Sequence, residues 1–187
     1  MATEKNENVI ANPSPLGLLG FGMTTLLLNL HNASFIPLSA VILAMGLCLG
    51  GAAQIIAGIM EFKKNNTFGA TAFTAYGFFW WSLVAIWVNP FTGIAKADET
   101  SMGFYLLIWG IFTAFMFIGT LKHNRATQVV FLTLTVLFVL LAISDFTGNA
   151  SVKTAAGWVG IVCGASAMYN SLAQIVNNEF GRKVLPL

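Results

Sequence analysis

Six long apolar stretches, separated by short polar segments, make up nearly all of this 187-residue chain. They cover approximately residues 15–30, 38–60, 68–88, 102–121, 128–143 and 154–176. A hydrocarbon core about 30 Å thick is crossed by about 20 residues of α-helix, in which the backbone satisfies its own hydrogen bonds. The sequence therefore predicts an all-α, polytopic membrane protein with six transmembrane helices in each protomer.

The composition agrees with a single membrane domain. Hydrophobic residues make up 57% and charged residues 9% of the chain, whereas charged residues are about a quarter of a typical soluble domain. We predict one six-helix transmembrane domain at residues 13–178. Residues 1–12 are polar and lack the features of a signal peptide. We therefore expect a short cytoplasmic tail there and a cytoplasmic C-terminal tail at residues 179–187.

The nine basic residues predict the orientation of the six spans. If all six cross, one side holds seven of them: Lys5, Lys63, Lys64, Lys122, Arg125, Arg182 and Lys183. The other side holds only Lys96 and Lys153. Short cytoplasmic loops carry an excess of Lys and Arg, so both termini should be cytoplasmic. The net charge of +2 is small and the basic residues are scattered, which argues against a nucleic-acid partner.

The residues needed for enzymatic or metal chemistry are sparse. Cys48 and Cys163 lie in separate spans without a CxxC pattern, and His31 and His123 are the only histidines. The sequence contains no HExxH and no GxSxG motif. We therefore predict no metal, no cofactor and no enzyme.

Several uncharged polar residues lie inside the spans, where they are costly. The amides Asn29, Gln54 and Asn170 should each face a partner helix or a wet cavity, since hydrocarbon offers them no hydrogen bonds. No Lys or Arg lies deep in any span, and the carboxylates Glu61 and Asp145 lie at span ends. Such a lining suits a small weak acid or a small neutral solute and argues against a metal-cation channel.

The start of the first span carries a recognisable motif. The run Asn12-Pro13-Ser14-Pro15-Leu16-Gly17-Leu18 resembles the Asn-Pro-Ala-Pro-Leu-Gly-Leu signature of the acetate uptake transporter family, which includes the bacterial succinate-acetate permeases. Further matches cover essentially the full length and include Asn29-Leu30-His31-Asn32, Glu61, Asn66-Thr67-Phe68-Gly69, Tyr76-Gly77, Gly164-Ala165-Ser166-Ala167 and Phe180-Gly181-Arg182. Ser14 departs from the usual Ala and adds a hydroxyl to the motif.

The motif also has a physical reading of its own. Asn12 or Ser14 is suited to cap the first helix, and Pro15 fits its first turn, where a missing N–H costs nothing. The positive end of this helix would then face the cytoplasmic mouth, where a carboxylate is favoured.

The resemblance implies a function and an assembly. The implied protein is a homo-oligomer, a hexamer, in the plasma membrane of a prokaryote (the cell inner membrane), and each protomer moves acetate, and to some extent succinate, together with a proton. The residues alone leave open a passive channel for acetate or another small anion, and a channel for a neutral amide such as urea.

The resemblance also implies positions for the path. The apolar constriction would consist of Phe21, Tyr76 and Leu134, and Ala167 matches a position associated with substrate size. The other substrate-binding candidates are Asn12, Ser14, Leu16, Gly17, Thr25, Asn29, Gln54, Thr74 and Asn170. His31 and Glu61 are candidates for proton handling or for the two mouths.

The predicted orientation is tested by reporter fusions that are active on only one side of the membrane. A fusion at Leu187 and a fusion in the loop near Asp98 should report opposite sides, with Leu187 cytoplasmic. If both fusions report the same side, the six-span prediction is wrong.

Overall fold

The computed structural model describes residues 10–187, and all of the regular structure in this range is helical. This confirms the predicted all-α class. The α-helices are α1 (Ser14–Asn32), α2 (Ala40–Met45), α3 (Gln54–Lys63), α4 (Thr67–Val88), α5 (Glu99–Gly119), α6 (Arg125–Thr147) and α7 (Ala150–Glu179). Of the predicted N-terminal tail, residues 1–9 lie outside the described range.

Five helical stretches are long and apolar enough to cross a membrane, judged by length and composition. They are Ala40–Lys63, Thr67–Val88, Glu99–Lys122, Arg125–Thr147 and Ala150–Glu179. Helix α1 is not among the five, because its 19 residues include a proline, a histidine and two asparagines, which lower its mean hydropathy. Large apolar side chains such as Phe115, which is 72% exposed, cover the outer surface of the bundle, as expected for a protein that contacts lipid.

The second span is continuous but not uniform. A π-helical segment, Gly46–Ala53, joins α2 to α3. Its glycines make room for aromatic rings, since a Cβ on Gly51 would lie 2.0 Å from the Trp81 ring. The Trp81 indole N–H donates to the Leu47 carbonyl at 2.9 Å. The apolar run predicts a helix here but carries no sign of the wider turn, which depends on tertiary contacts with α4.

The polar segments between the spans provide helix caps, so the helices extend beyond the apolar runs. The side chains of Asn66, Asp98, Asn124 and Asn149 accept hydrogen bonds from backbone N–H groups in the first turns of α4, α5, α6 and α7. Such caps satisfy donors that a helix start leaves free. As a result α5 and α6 each begin three residues before the predicted apolar stretches.

Helices α1 and α7 pack with their backbones nearly in contact. A Cβ on Gly164 would lie 2.5 Å from the Leu26 nitrogen and 2.8 Å from the Gly22 carbonyl oxygen. A Cβ on Gly160 would overlap the Asn29 amide. The spacing of small residues in the sixth apolar stretch predicts this kind of approach, and it brings α1 into the centre of the bundle.

The contact between α1 and α7 should not tolerate a side chain at Gly164. We expect Gly164→Leu to lower the stability of the detergent-solubilised protein by at least about 1–3 kcal/mol, because the obstructing atoms belong to the backbone of α1 and cannot rotate away. Ala165→Leu is the matched control, since Ala165 is exposed on the same turn. Thermal unfolding curves of the two variants provide the comparison. Equal midpoints would contradict the packing described.

Candidate functional site

The three residues assigned to a constriction lie around one small cavity. Phe21 from α1, Tyr76 from α4 and Leu134 from α6 line a space of about 20 Å³. The remaining lining residues are Leu18, Gln54, Ala72, Phe73, Val130 and Phe131. We call this cavity the neck. It is nearly all hydrocarbon, and its volume is close to the minimum for one water molecule.

Aromatic rings form much of the wall of the neck. The ring centroids of Phe21 and Tyr76 are 5.9 Å apart, and those of Tyr76 and Phe131 are 6.1 Å apart. The Tyr76 hydroxyl forms a 2.9 Å hydrogen bond with the Thr113 hydroxyl, which itself donates to the Trp109 carbonyl at 2.6 Å. Tyr76 therefore presents its ring to the neck, while its polar atom is bonded to α5.

A more polar cavity of about 200 Å³ adjoins the neck. We call it the inner cavity. It shares Leu18, Ala72, Phe73 and Phe131 with the neck, so the two spaces are separated by side chains only. Its polar lining residues are Ser14, Asn66, His123, Asn124, Thr127 and Gln174. Of these only Ser14 was among the predicted site residues. Asn66, His123, Asn124 and Thr127 lie between the spans or at helix starts, where a polar residue alone does not indicate a pathway, and Gln174 lies in the last two turns of α7.

Glu61, a predicted mouth residue, is fully buried next to the inner cavity. The Ser14 hydroxyl donates to one of its carboxyl oxygens at 2.5 Å, and the Asn66 side-chain amide donates to the other at 2.8 Å. These bonds link the starts of α1 and α4 to the end of α3. The sequence-based idea that Ser14 caps α1 is therefore wrong, because its hydroxyl is used by Glu61.

Asn12 does not cap α1 in the usual way either. Helix α1 has no side-chain cap at Pro13. Among residues 10–187, the Asn12 side-chain oxygen accepts from the Ser14 N–H at 3.3 Å and from the Lys64 ammonium at 3.0 Å. The Asn12 amide donates to Gln174 at 3.1 Å. Asn12 thus connects the end of α3 to α7.

This connection continues across the inner end of the bundle. The Gln174 amide donates to the Asn170 side-chain oxygen at 3.0 Å, and the Asn170 amide donates to the Thr127 hydroxyl at 3.0 Å. Two of these hydrogen-bonded side chains, Gln174 and Thr127, line the inner cavity. Asn170 is fully buried behind them and orients both.

A third cavity, of about 250 Å³, lies at the opposite end of the bundle. We call it the outer cavity. It is lined by His31 and by four charged residues, Asp98, Glu99, Asp145 and Lys153, together with apolar side chains. The His31 Nδ1 lies 3.1 Å from the Ile36 carbonyl oxygen. The pKa of Asp98 is held below its ordinary value, chiefly because the Ser101 backbone N–H donates to its carboxylate.

Several predicted substrate-binding residues lie outside these cavities. Asn29 is buried, and its amide donates to the Thr25 carbonyl at 2.8 Å while its oxygen accepts from Asn32 at 3.0 Å. Thr25 is buried on the preceding turn of the same helix. Thr74 packs against Gly58, where a Cβ would lie 2.1 Å from the Thr74 hydroxyl oxygen. These positions fit helix packing.

The remaining candidates pack behind the residues that line the cavities or lie on the outer surface. A Cβ on Gly17 would lie 2.5 Å from the Phe73 ring, so Gly17 allows this ring to reach the neck. Ala167 is fully buried among core side chains, and Leu16 is 41% exposed. Within residues 10–187 no group of three or more His, Cys, Asp or Glu side chains is arranged to hold a metal ion.

The contacts of Glu61 predict a cost for its neutral isostere. In Glu61→Gln the remaining oxygen can keep the bond from the Asn66 amide, but the new N–H₂ group can then only donate to the Ser14 hydroxyl, whose own O–H loses its acceptor. Asn66 has no free oxygen to offer, because its side-chain oxygen accepts from the Gly69 N–H at 3.1 Å. We expect a loss of about 1–3 kcal/mol, measured by thermal unfolding. Glu179→Gln, at an exposed carboxylate, should cost much less, and equal effects would contradict the described bonds.

The model of the GPR1/FUN34/yaaH family matches residues 1–186. The succinate-acetate/proton symporter SatP of Escherichia coli K12 is 56% identical over 179 residues, which is 95% of each chain. Acetate permease A of Emericella nidulans is 34% identical over 195 residues, 95% of this chain and 65% of that protein.

A solved structure, that of the bacterial acetate channel SatP, superposes on this fold with a TM-score of 0.93. It is 56% identical in sequence, and the match covers 96% of this chain and 99% of the other. The family resemblance predicted from the Asn12–Leu18 motif is thereby confirmed. With a family model that matches nearly its whole length, this chain belongs to the GPR1/FUN34/yaaH family.

Proposed function

We propose that this protein moves acetate, and other small carboxylates such as succinate, across the inner membrane of a prokaryotic cell. The observation that carries the proposal is the neck, an apolar constriction between two larger cavities that both carry polar groups. The relatives named for acetate transport support the choice of substrate.

The neck favours an uncharged form of the substrate. Of the residues that the structure describes, no Lys, Arg, Asp, Glu or His lines it, so a carboxylate inside it would lose water without gaining a counter-charge. Carboxyl groups have a reference pKa of about 4, so a small fraction remains protonated near neutral pH. We infer that acetate crosses the neck as acetic acid, which carries the coupled proton itself. Transport of this kind equals proton symport in its net result.

The neck must widen for this step. A space close to the minimum for one water molecule cannot hold acetic acid, which has four heavy atoms, so the structure represents a constricted state. Side-chain rotations of Leu134 or of the Phe21 ring would provide the space, since both side chains line the neck. The helices themselves need not separate.

We propose six spans, with α1 as the first, and both termini in the cytoplasm. Helix α1 supports this count because it lies in the centre of the bundle against α7 and contributes Leu18 and Phe21 to the neck. The distribution of basic residues supports the orientation. On this topology the inner cavity faces the cytoplasm. We further propose that protomers, each with its own path, associate as a homo-oligomer, with a hexamer as the form implied by the family.

The role of Leu134 predicts a change in selectivity. Leu134→Ala should raise the ratio of lactate to acetate uptake into proteoliposomes by about tenfold, since one or two methylene groups in an apolar pocket discriminate by about 1–3 kcal/mol. Leu132→Ala is the control, because Leu132 is 47% exposed on the outer face of α6.

Wild-type protein must first show uptake of labelled acetate above that of protein-free vesicles, or the proposed function is wrong. If Leu134→Ala and Leu132→Ala then give the same ratio of lactate to acetate, Leu134 is not in the path.

A further inference from the structure

The neck contains a single hydrogen-bonding group that is not accounted for by the fold. Gln54 is 1% exposed and lines the neck among hydrocarbon and aromatic side chains. Its side-chain oxygen is buried and has no hydrogen-bond partner among the described residues. An unpaired amide oxygen in such surroundings costs about 1–3 kcal/mol. Thr25 Oγ1, Thr74 Oγ1 and Trp80 Nε1 are also buried without a partner, but of these four groups only Gln54 lines the neck, where a ligand could reach it.

The surrounding backbone holds this amide in place. Gln54 is the first residue of α3, immediately after the π-helical segment that ends at Ala53. On the opposite side, Gly20 of α1 comes so close that a Cβ there would lie 2.5 Å from the Leu49 carbonyl oxygen and 3.4 Å from the Gln54 Cγ. Wide helical turns of this kind often occur at functional sites. Here the wide turn immediately precedes Gln54, whose side-chain amide faces the neck.

The carboxamide is complementary to one protonation state of a carboxylic acid. Its oxygen accepts and its N–H₂ donates, while an undissociated carboxyl group has an O–H donor beside a carbonyl acceptor. The two groups can form a ring with two hydrogen bonds. A carboxylate only accepts, so it would place its second oxygen against the Gln54 oxygen, where two acceptors repel.

We propose that Gln54 is a specificity-determining residue that binds the undissociated carboxyl group in the neck and discriminates against the carboxylate. This inference rests on the proposed function, since it names the form of the substrate that the same path takes. By the same chemistry a primary amide such as acetamide, which also has a donor beside an acceptor, is a ligand at every pH.

No charged group facing Gln54 disturbs this choice. Along α4 and α1 the lining is apolar apart from Tyr76, whose hydroxyl is bonded to Thr113. Behind α6 the Cys163 thiol donates to the Val130 carbonyl. Glu61 lies two turns further along α3 and is already bonded to Ser14 and Asn66. The substrate's own acid–base equilibrium therefore decides which fraction enters.

The test uses Gln54→Met, which keeps the length of the side chain and removes both hydrogen-bonding atoms. Uptake of labelled acetate at pH 5 and of labelled acetamide at pH 5 and pH 7 is measured in proteoliposomes, with protein-free vesicles subtracted. Wild-type protein should transport acetamide equally at both pH values. Gln54→Met should lower the uptake of both substrates about tenfold, the effect of roughly one net hydrogen bond. Ile56→Met, at an exposed position on the same helix, should leave both rates unchanged.

Three outcomes decide the matter. If Gln54→Met inserts and elutes as the wild type does but transports both substrates at wild-type rates, the proposal is wrong. If the variant does not fold, the wild-type protein still tests the proposal. The role of Gln54 is overturned if the wild-type protein does not transport acetamide, or if acetamide does not compete with acetate at pH 5. Absence of wild-type acetate uptake would instead refute the proposed function, before any variant is compared.

Discussion

The low polarity of the neck is the constraint on which the rest of the account depends. A carboxylate that leaves water for a space lined by Phe21, Tyr76 and Leu134 loses its hydration and finds no counter-charge. The inner and outer cavities, in contrast, offer hydroxyls, amides and charged groups. On the mechanism proposed above, only the neutral acid crosses the neck, so that selection and proton coupling have one physical origin.

The neck exists because the helices around it are held at short range. Glycines on α7 let α1 approach the centre of the bundle, and Gly17 lets the Phe73 ring reach the cavity. The buried Glu61 carboxylate, bonded to Ser14 and Asn66, joins three helices at the inner end. These contacts leave the side chains of the neck as the parts free to move, which is consistent with passage of a small solute without large helix motions.

Much of the fold could be predicted from the sequence, because the length of an apolar stretch is a local signal. The constriction at Phe21, Tyr76 and Leu134 came from the family resemblance alone. The structure brings these residues together but places Asn29, Thr25 and Thr74 in helix packing.

The roles of Asn66, Thr127 and Gln174 could not be predicted, since they depend on which helix ends meet at the inner cavity. The π-helical turn before Gln54 and the hydrogen bond between Tyr76 and Thr113 also arise from contacts between distant segments. A pattern along one helix does not reveal such contacts.

The most direct test of the central claim is the dependence of acetate flux on external pH in proteoliposomes that contain wild-type protein. At constant total acetate, and after subtraction of the rate in protein-free vesicles, the initial rate should rise as the external pH falls from 7 towards 5, in proportion to the concentration of undissociated acid. A protein-dependent rate that stays constant over this range would show that the anion itself crosses the neck and would contradict the account.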